Sequence, residues 1–292
     1  MSPSPKRGQW SLGLRVVSGL LFVPLLMLLA WRGGFAWLGF VALQTVLGLE
    51  EFWRMARGKG LEPVRWLGFA AALFLLLTCL ERSAAFLPDP TLVLTLGLLL
   101  LLALSLRRAG QPRVLESAAA TVFGVFYVGW LSAHFVLLRE LPWRAGLPYA
   151  TGASLVLYVF LVTWACDTGA YVTGRFLGRT RPWATISPRK TLEGSAGGFV
   201  WAIVAALVGA GTFLRSDGVP LLGWPQALLA GALAGVCGQV GDLVESLFKR
   251  DAASGDSSDI IPGHGGVLDR FDSLYFAAPV LYAFLRAVLQ VP

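Results

Sequence analysis

The chain has 292 residues, 56% hydrophobic and 14% charged, with 24 Lys and Arg against 17 Asp and Glu for a formal charge of +7. Ordinary soluble domains hold about 45–50% apolar residues, so the composition argues against a soluble enzyme and for one integral membrane unit. The basic excess does not point to nucleic acid: there is no long basic run, and the charges recur at the ends of apolar segments, where topology and anionic headgroups account for them. Cys79, Cys166 and Cys237 lie in or beside apolar runs without a CxxC pair and read as small packing residues.

A membrane helix needs about 20 mostly apolar residues. Nine segments approach that length: 13–31, 35–53, 65–81, 91–106, 116–138, 149–168, 193–214, 221–244 and 273–290. The first follows a basic start, as a signal peptide would, but it lacks a small-x-small cleavage site and is long enough to span. The fourth, "TLVLTLGLLLLLALSL", is the shortest, and its leucines suit a lipid-facing helix without chemistry. The fifth carries His134, read as a packing residue. The sixth ends at Asp167 and leads into a polar loop, 169–192; the eighth ends at Asp242 and Glu245 and leads into a second, 245–272. No run alternates in polarity as barrel strands do. The predicted fold is therefore all-α, a polytopic integral membrane bundle of about nine transmembrane helices. It divides into N-terminal transmembrane helices, 1–145, and a C-terminal region, 146–292, that holds both polar loops.

Arginine and lysine positions orient the bundle. With the N-terminus inside, 18 basic residues fall in inner segments, while the outer loops hold five: Arg32, Arg82, Arg139, Arg144 and Arg215. The positive-inside rule then places loops 169–192 and 245–272 together on the cytoplasmic side.

Those loops hold the chemistry. Ten of the 17 acidic residues lie between Asp167 and Asp272, and nine charged side chains fall within 245–272. A carboxylate at mid-bilayer costs about 2.5–3.5 kcal/mol on insertion scales, so Asp242 and Glu245, on the last turn of an apolar helix, call for a partner, a cavity or a metal. Glu245 also has Lys249 four residues on. In "IIPGHGGVLDRFD", Gly263, Gly265 and Gly266 let backbone N–H groups approach an anion, with Lys249, Arg250, His264 and Arg270 nearby. Asp269 and Asp272 offer hard oxygen ligands suited to Mg²⁺. Neither HExxH nor a Walker loop is present. The other loop, "CDTGAYVTGRFLGRTRPWATISPRKTLEGSAGG", repeats the theme: Asp167, then glycines, then Arg175, Arg179, Arg189 and Lys190 as phosphate ligands or topology signals.

The run from Ser246 to Asp272, "SLFKRDAASGDSSDIIPGHGGVLDRFD", resembles the signature of phosphatidate cytidylyltransferases, and "DTGAYVTGRFLGR" and "ISPRKTLEGSAGG" match the same family's pattern. The specific similarity covers about 164–275. One position departs: Gly255 stands where the family usually has a lysine, which implies one fewer phosphate contact. The resemblance implies transfer of a cytidylyl group from CTP to phosphatidate, with Mg²⁺ as cofactor and the question of a second cation open. It implies Asp242 and Asp269 as metal ligands, with Asp167, Glu245 and Asp272 in inner or outer coordination. Lys249, Arg250 and Arg270 would neutralise phosphates, and His264 with the adjacent glycine amides would orient the nucleotide. Ser246, Gly263, Gly265, Gly266, Arg175, Arg189 and Lys190 complete the substrate-binding set. The setting implied is the cell (inner) membrane, with phosphatidate among the membrane lipids, CTP in the cytosol, no nucleic acid, and a homodimer. Two other classes stay open: a secondary transporter using Asp167, Asp242 and Glu245 as ion-coupling groups, and a phosphotransferase acting on another lipid phosphate. The DG…AR…G…D…D pattern of CDP-alcohol transferases is absent.

Overall fold

A computed structural model of the chain describes residues 12–81, 86–252 and 265–291, with side chains from Phe22 onward. Its helices fall on the apolar runs: α1 (Leu12–Arg32), α2 (Gly34–Gly58), α3 (Arg65–Thr78), α4 (Pro90–Leu106), α5 (Val114–Arg144), α6 (Thr151–Leu177), α7 (Leu192–Thr212), α8 (Trp224–Asp251) and α9 (Leu268–Val288). Among the described residues, α2 and α5 to α9 are six helices long and apolar enough to cross a membrane; Phe22–Arg32, α3 and α4 are shorter apolar helices. The chain is thus an all-α, multi-pass membrane protein, with one small hairpin of β1 (Arg215–Ser216) and β2 (Val219–Pro220) between α7 and α8.

Local sequence explains the helix ends. Asp89 caps α4, its carboxylate accepting from the Thr91 amide at 2.9 Å, with Pro90 in the first turn. The Thr191 hydroxyl caps α7 by accepting from Gly194 N at 3.1 Å. Within α5, Val125–Trp130 forms a π turn, a form that recurs at functional sites. Several helices run past or begin before their apolar segments. α6 continues to Leu177, α8 continues to Asp251, and α9 starts at Leu268. Arg175, Lys249, Arg250, Asp269 and Asp272 therefore stand on helices rather than in loops. Lys, Arg and Glu are good helix formers, and cations suit the last turn, so hydrogen bonding carries on after the apolar run stops.

The C-terminal helices pack closely. α6 meets α7 along small residues that include Gly169, Gly194 and Gly198, as membrane helices do where backbones must approach. Tyr158, Phe160, Phe135 and Tyr275 fill the core. By contrast α4 leaves Leu92, Leu96, Leu99 and Leu102 exposed, in keeping with a lipid-facing helix. His134 packs as expected, with Nδ1 3.0 Å from the Trp130 carbonyl and its ring edge-on to Trp130 and Tyr282.

Polar ties bring alternate connections to one end of the bundle. Lys59 pairs with Asp251, the Arg113 guanidinium donates to the Lys59 carbonyl, and Arg250 Nε donates to the Ile186 carbonyl at 3.2 Å. At the other end Arg139 corrects its placement in an outer loop: it lies on α5 and is fully buried. It donates to the carbonyls of Ala30 (2.5 Å), Trp31 (3.2 Å) and Tyr149 (2.8 Å), capping the end of α1. The Tyr149 hydroxyl donates to Glu140 at 2.6 Å and accepts from Gly34 N at 2.8 Å.

Candidate active site

A polar cavity of about 590 Å³ opens between α6, α7, α8 and the 178–191 connection. Asp167 and Asp242 stand on its wall with Arg175, Arg181, Arg189 and Lys190, beside Tyr171, Ser187, Ser195 and Gln239. Four cations around two carboxylates make a site for a polyanion that arrives with, or meets, a counter-cation.

The connection is fixed in place by its own hydrogen bonds. The Glu193 carboxylate accepts from the amides of Arg179 (3.0 Å) and Thr180 (3.1 Å) and from the Thr180 hydroxyl (2.8 Å). Leu192 N donates to the Thr180 carbonyl at 2.9 Å, closing the turn that carries Arg181, Arg189 and Lys190. Lys190 Nζ then reaches Asp242 on α8 at 2.7 Å, joining loop and helix across the cavity. Gln239, one turn before Asp242, donates to the carbonyls of Ser195 (3.1 Å) and Gly235 (2.9 Å).

Behind the cavity wall α8 and α9 touch. A Cβ on Gly241 would lie 2.5 Å from the Asp272 carbonyl oxygen, so glycine is required where the backbones meet. The contact brings the Asp272 carboxylate into the field of Asp242, Glu245 and Asp167. Asp167 accepts from the Ser273 hydroxyl at 3.2 Å and feels the charges of Lys190 and Arg270.

A second cluster lies one turn along α8. Lys249 Nζ pairs with Glu245 and, at 2.7 Å, with Asp269; Glu245 is almost wholly buried. Asp269 also accepts from Gly266 N at 2.8 Å. Gly265 makes that turn with φ of +78°, a conformation that favours glycine. The Gly266 amide thus serves Asp269. Ser246 is half-buried on α8 and does not line the cavity. Gly263 and His264 lie outside the described residues, as does Gly255.

The acidic residues Asp167, Asp242, Glu245 and Asp272 are hard oxygen donors in mutual repulsion, which fits a hard divalent cation by chemistry. Among the described residues no three acidic, histidine or cysteine side chains converge on one point; Asp242 is held by Lys190 and Asp269 by Lys249. Arg181, Ser187, Ser195 and Gln239 are cavity residues that sequence reasoning passed over. The register of α7 and α8 brings Ser195 and Gln239 to the wall, and the course of the 178–191 connection brings Arg181 and Ser187 there.

Residues 13–288 match the cytidylyltransferase family. A phosphatidate cytidylyltransferase of Synechocystis is 34% identical, with 95% of this chain and 97% of the relative aligned. The enzyme of that name from Bacillus subtilis is 32% identical over 94% of this chain and 98% of its own. The chloroplastic phosphatidate cytidylyltransferase 5 of Arabidopsis thaliana is 33% identical over 87% of this chain and 67% of its own.

Proposed function

We propose, from the premise that the chain belongs to the cytidylyltransferase family, that it transfers a cytidylyl group from CTP to phosphatidate, giving CDP-diacylglycerol and pyrophosphate. The cavity that gathers Arg175, Arg181, Arg189 and Lys190 against Asp167 and Asp242 carries the reading.

In this reaction a phosphate oxygen of phosphatidate attacks the α-phosphorus of CTP, and the bond from that phosphorus to the α–β bridging oxygen breaks. The nucleophile is already an anion, so no general base has to create it. The work is to bring negative groups together and to stabilise the pyrophosphate that departs. Arg175, Arg181 and Arg189 bind phosphate oxygens on the cavity wall. Lys190, held by Asp242, is a cation for which an incoming phosphate competes. Lys249, between Glu245 and Asp269, and Arg270 and Arg250 keep positive charge at the inner end of α8 and α9; His264 orients the nucleotide.

Mg²⁺, when bound, supplies charge neutralisation at the triphosphate. Asp242 and Asp269 would hold it, with Asp167, Glu245 and Asp272 in inner or outer coordination, and a second cation belongs to the same proposal. The proposed substrate-binding set is Arg175, Arg181, Arg189 and Lys190 on the cavity wall, with Ser246, Gly263, Gly265 and Gly266 in the neighbouring 245–272 motif.

The topology is proposed with the N-terminus inside, nine spans and the cavity facing the cytoplasm of the cell membrane. With Arg139 placed on α5, the basic residues divide 18 to four between the inner segments and the outer loops, and that asymmetry supports it. The Lys59–Asp251 and Arg250–Ile186 ties do so too, by gathering the basic connections at the cavity's end. CTP then arrives from the cytosol while acyl chains stay in lipid, since drawing them through water costs about 0.8 kcal/mol per CH₂. Residues 146–292 form the catalytic part and 1–145 its scaffold; the cavity lining falls within 167–243. A homodimer is part of the proposal.

The test is pyrophosphate release by detergent-purified protein. Release that requires CTP and phosphatidate together is expected. Hydrolysis of CTP without lipid, or lipid-independent ion flux after reconstitution, would turn the reading to another phosphotransfer or to a transporter.

A further inference from the structure

Glu51 lies on α2, 216 residues before Val267, and is fully buried. Its carboxylate accepts from the amides of Val267 at 3.0 Å and Leu268 at 2.8 Å. These are among the first N–H groups of α9, which a helix leaves without intrahelical partners. A negative charge there is favoured by the helix dipole and by charge-assisted hydrogen bonds. Val267 and Leu268 are themselves buried, so water is not at hand to replace the carboxylate.

The turn so held is the one that presents the acidic motif. Asp269 follows at once and takes Lys249 and Gly266 N; Asp272 begins the next turn and enters the field of Asp242, Glu245 and Asp167. The same face of α2 grips α9 again further along, at helical spacing from Glu51: Gln44 Oε1 accepts from the Tyr275 hydroxyl at 3.1 Å, and its Nε2 donates to Ser132 at 2.7 Å. Glu50, the adjacent acid, turns the other way to Arg57 at 2.8 Å and Arg65 at 3.0 Å. Glu51 does not line the polar cavity.

We infer that Glu51 is a positioning residue: from the N-terminal half of the chain it fixes the start and register of α9, and so aims Asp269 at Lys249 and Asp272 into the carboxylate cluster. The catalytic consequence rests on the proposed cytidylyl transfer; the geometric one does not.

The test compares Glu51→Gln, which keeps the shape and one acceptor oxygen, with Glu51→Ala. It uses the full chain in detergent, read by steady-state kinetics and by amide hydrogen exchange. Glu51→Ala should lower kcat about 10- to 100-fold with KM for CTP and phosphatidate within about twofold. Glu51→Gln should lose less. Exchange should quicken in the peptide spanning 267–272 and stay unchanged in α5 and α6. Unaltered kcat and exchange in both variants would overturn the inference, as would a rise in KM alone, which would mean substrate contact. Faster exchange throughout the bundle would overturn it in favour of a merely structural residue. If the wild type transfers no cytidylyl group yet exchange at 267–272 responds, the positioning role stands and the functional reading falls.

Discussion

Removing the Lys249 cation by Lys249→Met tests the electrostatics of the C-terminal end of α8. The Lys249 side chain is 18% exposed and stands between Glu245, at 1%, and Asp269, at 11%. Methionine keeps most of the stem, so the loss is chiefly of charge. Two neighbouring carboxylates are then left in a largely dry setting without their shared cation, and breaking a buried pair in this way costs about 3–5 kcal/mol. Asp269 keeps its bond from Gly266 N, which places the expected cost near the lower limit, about 3 kcal/mol, or roughly two decades in the unfolding equilibrium. Adding Glu245→Gln removes one of the uncompensated charges, and the double variant should regain about 1–3 kcal/mol relative to additivity. Unfolding in mixed micelles, followed by tryptophan fluorescence as SDS is raised, reads both quantities. A loss below about 1 kcal/mol for Lys249→Met, the scale of an exposed pair, or strict additivity in the cycle, would refute a buried, shared cation.

The acidic wall gives a sharper functional expectation. Asp242→Asn and Asp167→Asn should each lower kcat by about 10²–10³, and chelation of divalent cations should abolish wild-type turnover until Mg²⁺ is restored; full activity in chelator would remove the metal from the account. Gly241→Val forces its side chain against the Asp272 carbonyl and should part α8 from α9, costing about 1–3 kcal/mol of stability and most of the activity; wild-type behaviour in both assays would contradict that contact. At the other end of the bundle, Arg139→Lys loses the fork that reaches three carbonyls and should cost about 1–3 kcal/mol while leaving KM for CTP unchanged, as thermal unfolding and kinetics would report.

The helices were legible because a bilayer demands long apolar runs, though six of the nine expected spans are long enough to cross one among the described residues, and Asp167 and Asp242 stood out because a carboxylate at the end of such a run is costly. The Glu245–Lys249 pair follows from its spacing of four. That Asp269 joins the same lysine does not, since α8 and α9 meet only after folding. Ser195 and Gln239 were hidden because nothing in their own segments says which face of α7 or α8 looks into the cavity, and Arg181 because the course of the 178–191 connection is set by its ties to Glu193. Arg139 counted as a loop cation, because hydropathy cannot distinguish an arginine facing water from one that caps a neighbouring helix. Glu50 and Glu51 are adjacent and chemically alike. One goes to surface arginines and the other to the start of α9, a choice set by a partner more than 200 residues away.

The most direct measurement follows the label in lipid after incubating the purified protein with phosphatidate and CTP carrying ³²P at either the α or the γ position. The account predicts that α-label enters the chloroform-soluble product while γ-label leaves as pyrophosphate, and that Asp242→Asn suppresses both. γ-Label appearing in lipid, or no label in lipid from either CTP, would contradict it.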